Sequence, residues 1–278
     1  MQPASASGLI ASLAAGLLAA GVAAGSPIGL KASLGVDYTS GDYGLSQETR
    51  TVEVPIGLEA TWRRLRLSVR SGFIANDGPV IAGVPGASRN PRGAGGGGPL
   101  APADDSGQGV SDLRLLGGVL LTMPPEDSPL PWVEVQGQVK VAMADEDDGL
   151  GTGEHDYRVG LDVFKTFGPI TPFANVGYRF RGDPGGANES ALNDGPFASV
   201  GASWRVVDRF SVGTALDWAE SAADGVDDAL ELSPFASIGL GERVSLGPYA
   251  TIGFSDGSPD YGFGAQLTFR LLQEDWSD

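Results

Sequence analysis

The chain of 278 residues has no cysteine, a single histidine, and only 18 Lys and Arg against 35 Asp and Glu. Without cysteine there is no disulfide scaffold, no thiolate nucleophile and no thiolate-bound metal. One histidine, His155, excludes a histidine zinc cluster, and no serine in a recognisable motif stands ready to be activated by it. A carboxylate pair such as Glu53 and Glu59 could act as acid and base, but no cleft in the pattern supports it. The formal net charge of -17 argues against nucleic acid, whose phosphates call for clustered Lys and Arg. It also disfavours an anionic lipid surface as the main partner. The 43 glycines follow no Gly-X-Y period, which excludes collagen. After the N-terminal segment no apolar run approaches the length of a membrane helix, so any crossing has to be made by strands. No enzyme, metal or cofactor is expected.

What is present begins with GLIASLAAGLLAAGVAA at residues 8–24, an apolar stretch ending in small residues. It reads as a secretory signal, residues 1–24, with Val22 and Ala24 suited to the two positions ahead of a cut. No Lys or Arg precedes it, and a buried Ala-Leu helix is the alternative. Residues 25–278 are expected to form one domain.

Alternation dominates that domain. Leu30, Ala32, Leu34, Val36 and Tyr38 share one face, with Lys31, Ser33, Gly35 and Asp37 on the other. Val52, Val54, Ile56, Leu58, Ala60 and Trp62 oppose Glu53, Gly57, Glu59 and Thr61, and Leu65, Leu67, Val69 and Phe73 oppose Arg66, Ser68, Arg70 and Gly72. A period of two means a strand with one apolar and one polar face. Similar segments lie near 110–122, 132–142, 157–165, 172–180, 197–206, 210–218, 229–240, 244–254 and 261–271, giving twelve. Most are about 9 to 12 residues long, enough for a tilted strand to cross a bilayer and longer than the 5 or 6 usual in soluble sheets. The links alternate without exception between short ones (63–64, 124–130, 168–170, 207–209, 241–243) and long ones (39–47, 75–109, 144–156, 182–196, 220–228, 255–260). The sequence therefore predicts an all-β, antiparallel, up-and-down transmembrane barrel of about twelve strands, with periplasmic turns and extracellular loops, in a Gram-negative outer membrane. A soluble secreted β-sandwich is the alternative fold.

Aromatic residues support the barrel. Trp62, Trp204, Phe210 and Phe269 lie beside short turns or the C-terminus, while Tyr38, Phe73, Tyr157, Trp218, Phe254 and Tyr261 lie beside long loops, as interfacial girdles would. Pro55, Pro234 and Pro248 fall inside proposed strands, where a bulge or a broken ladder bond is expected at each. The last strand is followed by a short acidic tail, residues 273–278, in place of a terminal aromatic.

Three patches carry a resemblance: GVSDLRLLGGVLL (109–121), LGTGEHDYRVGLDVFK (150–165) and ANVGYRFRGD (174–183). In order and spacing they resemble the transporter-like outer-membrane barrels grouped under the meta-pathway of phenol degradation, with Ser111 where that pattern has glycine. The resemblance implies a barrel and a transport role for small, hydrophobic or aromatic solutes, and carries no catalytic residue.

The polar faces hold charges of both signs. Lys31, Arg66, Arg70, Arg114, Lys140, Arg158, Arg179, Arg205 and Arg270 fall on the inward side, as do Asp37, Glu53, Glu59, Asp112, Glu134, Asp162, Asp217 and Glu231. Such charges are costly against lipid but persist in a wet or paired interior. They read either as a selective lining or as an ion-pair network bracing a filled lumen. The Gly-rich segment 75–109 lacks the Lys-Ser/Thr of a phosphate loop, and reads as a mobile extracellular loop or one folded inward as a constriction. The acidic stretch 145–148 with Glu154, like Asp224, Asp227 and Asp228, lacks calcium-loop spacing and reads as solvated. The expected function is an outer-membrane channel for small solutes, and its alternative a structural or adhesive barrel with a closed lumen. The partners are then outer-membrane lipid and small solutes. Nothing marks a subunit interface, so a monomer is expected.

Overall fold

In the computed structural model each strand takes the next in sequence as its antiparallel neighbour, the arrangement that chains of alternating residues joined by turns favour. The structure describes residues 28–43, 48–78, 106–125, 127–146, 148–182, 192–222 and 226–272. The expected signal, most of the Gly-rich loop and the acidic tail lie outside them. The strands are β1 (Ile28–Gly41), β2 (Thr49–Trp62), β3 (Leu65–Asp77), β4 (Gly107–Val110), β5 (Leu113–Thr122), β6 (Trp132–Val141), β7 (Asp156–Phe164), β8 (Ile170–Phe180), β9 (Gly195–Val207), β10 (Phe210–Ala219), β11 (Ala229–Gly239), β12 (Val244–Gly253) and β13 (Tyr261–Leu272). β13 returns to β1, from Lys31↔Arg270 to Ser40↔Tyr261, so the sheet closes and leaves no edge. β4 and β5 both lie along β3, through Ile74↔Gly109 and Arg70↔Arg114, and form one interrupted stave. The molecule is thus a closed antiparallel barrel of twelve staves.

The interruption is a β-bulge. Three steps on β3, from Phe73 to Arg70, face four on the partner, from Val110 to Arg114, and Ser111 N donates to Gly72 O at 2.9 Å. The extra residue exchanges the faces: odd positions of β4 point inward, even positions of β5 do. The Gly-rich segment is also shorter than the sequence predicts, because Ala75–Asp77 extend β3 and Gly107–Gly109 belong to β4.

Burial is inverted relative to a soluble protein. Ile56 (51 % exposed), Leu67 (52 %) and Val200 (58 %) face outward mid-strand, while Glu53 (1 %), Glu231 (1 %) and Asp37 (3 %) are buried. Only a hydrocarbon surround makes that distribution favourable, and the outward surface is accordingly the lipid-facing one. Trp62, Trp204 and Phe269 stand exposed at one end of this surface, and Phe73, Tyr157, Phe254 and Tyr261 at the other. At the latter end Tyr38 packs on Phe263 with ring centroids 5.1 Å apart.

Each strand proline interrupts one ladder and leaves the other whole. Pro55 keeps its place against Gly72 on β3, but the β1–β2 pairing skips from Leu34↔Ile56 to Asp37↔Glu53. Pro234 stays paired with Thr214 and Pro248 with Ala265, while the β11–β12 seam between them keeps only Phe235↔Tyr249 between Leu232↔Ile252 and Ile238↔Leu246. The missing N–H is the reason.

Inward aromatics sit on cross-strand glycines. Phe197 is paired with Gly177, Phe173 with Gly201, Phe235 with Gly213 and Tyr249 with Gly264. A Cβ on Gly177 would lie 2.2 Å from Val159 O and 2.3 Å from the Phe197 ring. Gly177→Val is expected to destabilise the barrel by about 3 kcal/mol through overpacking. The check is the urea midpoint for loss of heat-modifiable gel mobility, and an unshifted midpoint would contradict the packing.

Candidate functional site

The concave face of the barrel carries nearly all the chemistry of the described residues, because alternation sends one residue in two inward. On β1 to β3 and β6 the inward charges connect. Lys31 Nζ lies 2.9 Å from Glu59 Oε1, Arg66 Nη1 lies 3.8 Å from Glu59 Oε2, and Arg66 also donates to Glu134, with Nε at 3.1 Å. Arg66 reaches Glu134 across β5 because Gly118, its direct partner there, has no side chain: a Cβ at 118 would lie 2.2 Å from Glu134 Oε1. Glu134 is paired with Asp162 on β7, Asn175 on β8 hydrogen-bonds Asp162, and Arg158 Nη2 donates to Asn175 Oδ1 at 3.2 Å.

A second group lies nearer the long loops. Asp37 and Glu53 are cross-strand partners, Arg70 and Arg114 are another such pair, and Arg114 Nη1 is 3.9 Å from Glu53 Oε1. At the long-loop rim, Lys140 Nζ lies 2.9 Å from Asp156 Oδ2, 3.6 Å from Asp112 Oδ2 and 2.9 Å from Thr152 Oγ1. On the far side Asp217 accepts from Ser199 Oγ at 2.6 Å and Ser233 Oγ at 3.0 Å, with Glu231 as its cross-strand partner. Just beyond β8, Arg181 donates to the carbonyls of Asn193 and Glu220, and burial holds its guanidinium below the ordinary value.

Aromatic side chains occupy the other part of this face. Trp132 and Phe164 stack with centroids 6.0 Å apart and an interplanar angle of 8°. Phe164 is the cross-strand partner of Phe173, which meets Phe235 at 6.3 Å. Phe197, 2 % exposed, carries the Arg158 guanidinium 3.7 Å from its ring centroid. Ion-paired charges thus run over β1 to β7 and inward rings from β6 round to β12, and the two meet on β6 and β7.

Of the charges singled out from sequence, Glu53, Asp112, Glu134, Lys140, Arg158, Arg179 and Glu231 are buried, and Lys31, Glu59, Arg66, Arg70, Arg114, Asp162 and Asp217 are partly covered. Arg205 and Arg270 have the inward parity but lie exposed at the end with the short turns, donating to the turn carbonyls of Gly168 and Glu242. They hold turns at the mouth and stand apart from the networks. Asp156, Asn175 and the inward aromatics belong to the site and were not read from sequence. Their signal is parity: each, Tyr249 on the uncharged β12 excepted, stands an even number of places from an inward charge on its own strand.

Residues 27–271 match the family described as "Putative MetA-pathway of phenol degradation". The chain belongs to this family. No curated protein matches it. Among solved structures it is similar to the NanC porin (TM-score 0.53, 8% identity, 86% of this chain and 100% of that one). It is also similar to the KdgM porin in complex with disordered oligogalacturonate (TM-score 0.50, 7% identity, 85% and 98%). A third is the translocator domain of the autotransporter NalP from Neisseria meningitidis (TM-score 0.50, 10% identity, 94% and 96%). At such identities the likeness is one of fold, that of Gram-negative outer-membrane barrels.

Proposed function

We propose that this protein is a channel for the passive passage of small solutes across the outer membrane, and that it favours hydrophobic or aromatic ones. The observation that carries the reading is an interior that sets stacked rings beside ion-paired charges. The rings of Trp132, Phe164, Phe173 and Phe235 offer a stacking surface, and the charges around Arg66 and Glu134 beside them keep the route wet. In this reading the inward charges line the route, and no side chain forms or breaks a bond in the solute.

Single-channel conductance of the refolded protein in a planar bilayer, with and without small aromatic solutes, tests it. Discrete steps that such solutes block are expected. The double variant Phe173→Ala/Phe235→Ala is expected to raise the half-blocking concentration about 10-fold, since each ring contact contributes about 0.5–1.5 kcal/mol. The connected run from Lys31 through Glu59 and Arg66 to Glu134 favours a second reading, a barrel whose lumen is braced shut and whose loops bind partners. A correctly inserted barrel that never conducts would select that one.

A further inference from the structure

The link between β6 and β7 runs into the barrel. On β3 and β4, Ile74 pairs with Gly109 and Asn76 with Gly107, on the face opposite the exposed Phe73 and Val110. That face is the inner one. The two glycines leave it bare, and the link fills the space: a Cβ on Gly107 would lie 2.2 Å from Asp148 O, and one on Gly109 would lie 2.8 Å from the Leu150 side chain. Ile74, Ala144 and Leu150 form a buried apolar cluster there, and Asn76 Nδ2 reaches Gly149 O at 3.4 Å.

Its attachments are polar and specific. Asp112 Oδ1, presented by the bulge, accepts from both Met143 N and Ala144 N at 3.0 Å. Lys140 joins Asp112, Asp156 and, through Thr152, the returning limb of the link. The neck is closed by Ala142 N donating to His155 Nδ1 at 3.1 Å. From its apolar anchors and its buried lysine, we infer that residues 142–146 and 148–155 form a constriction folded against the inner wall at the extracellular mouth, and that Lys140 and Asp112 are the positioning residues that hold it there. This rests on the channel reading. An element that narrows the route takes cross-section from it and sets the largest solute that passes.

The experiment compares single-channel conductance of three proteins whose folding is verified by heat-modifiable mobility. They are the parent, Lys140→Met, and a variant with residues 143–151 replaced by Gly-Ser. Release of the link is expected to raise conductance severalfold and to admit larger polyethylene glycols. Because the chain has no native cysteine, Ile74→Cys/Ala144→Cys can be bridged cleanly. The bridge is expected to leave the parent's conductance unchanged and to return Lys140→Met to the parental value. A parent that conducts equally before and after shortening of the link overturns the constriction and leaves the channel standing. If neither parent nor shortened variant ever conducts, both fail together. A closed parent whose shortened form conducts supports both.

Discussion

Glu134→Ala is expected to lower the stability of the refolded barrel by about 3 kcal/mol, the low end of the range for breaking a buried ion pair. Glu134 retains 11% of its side-chain exposure and Arg66 17%, so neither recovers full hydration when its partner is lost. The loss is asymmetric. Without Glu134, Arg66 keeps only Glu59 at 3.8 Å and Gln136 at 3.4 Å, contacts too long to replace the two donations it made. The double variant Arg66→Met/Glu134→Leu removes both charges together, and is expected to recover most of the deficit because an apolar pair of similar volume carries no desolvation cost. Urea titration in detergent micelles, followed by gel mobility, reads both. Should Glu134→Ala stay within about 0.5 kcal/mol of the parent, the size of a surface substitution, the bracing network would be refuted.

Val200→Arg is expected to cost about 2–4 kcal/mol in a lipid bilayer. Val200 is 58% exposed in the middle of β9, between the outward neighbours Ala174 and Leu216. On a water-facing surface the same change would fall within about 0.5 kcal/mol. The size of the effect therefore measures what surrounds the barrel at this depth, and refolding into vesicles with a urea midpoint is the measurement. A negligible loss would show that Val200 faces water, and would remove the lipid-facing surface at β9.

Alternation made most of the wall legible in the sequence, because lipid outside and polar interior inside demand opposite residues at successive positions. Leu34, Val36, Ile56 and Leu67 are exposed outward as their parity requires. The prolines were legible as ladder breaks but not as to which ladder, since that depends on which neighbour the absent N–H would have faced. The bulge was hidden, because Ser111 and Asp112 are both polar and a phase change between two polar residues leaves no mark. Inward aromatics were missed because an apolar ring on the polar face runs against the alternation, and the glycines that make room for Phe173, Phe197, Phe235 and Tyr249 are known only from pairing. The inward course of residues 142–146 and 148–155 depends on contacts with Gly107 and Gly109 far along the chain, which no local pattern reports.

The bulge at Ser111–Asp112 also divides the chain into stretches with different tolerance to changes in length. A residue gained or lost in an extracellular loop leaves every strand in phase. Losing one residue at the bulge would set three steps against three, so that Val110 stays outward against Phe73, Gly109 stays inward against Ile74, and only the bend is lost. If the residue lost is Asp112, the carboxylate that holds Met143 and Ala144 goes with it. A deletion inside a regular strand would behave as a frame error in three dimensions, reversing inner and outer faces over part of a stave, whereas the bulge holds a residue that this stave can lose with its faces kept.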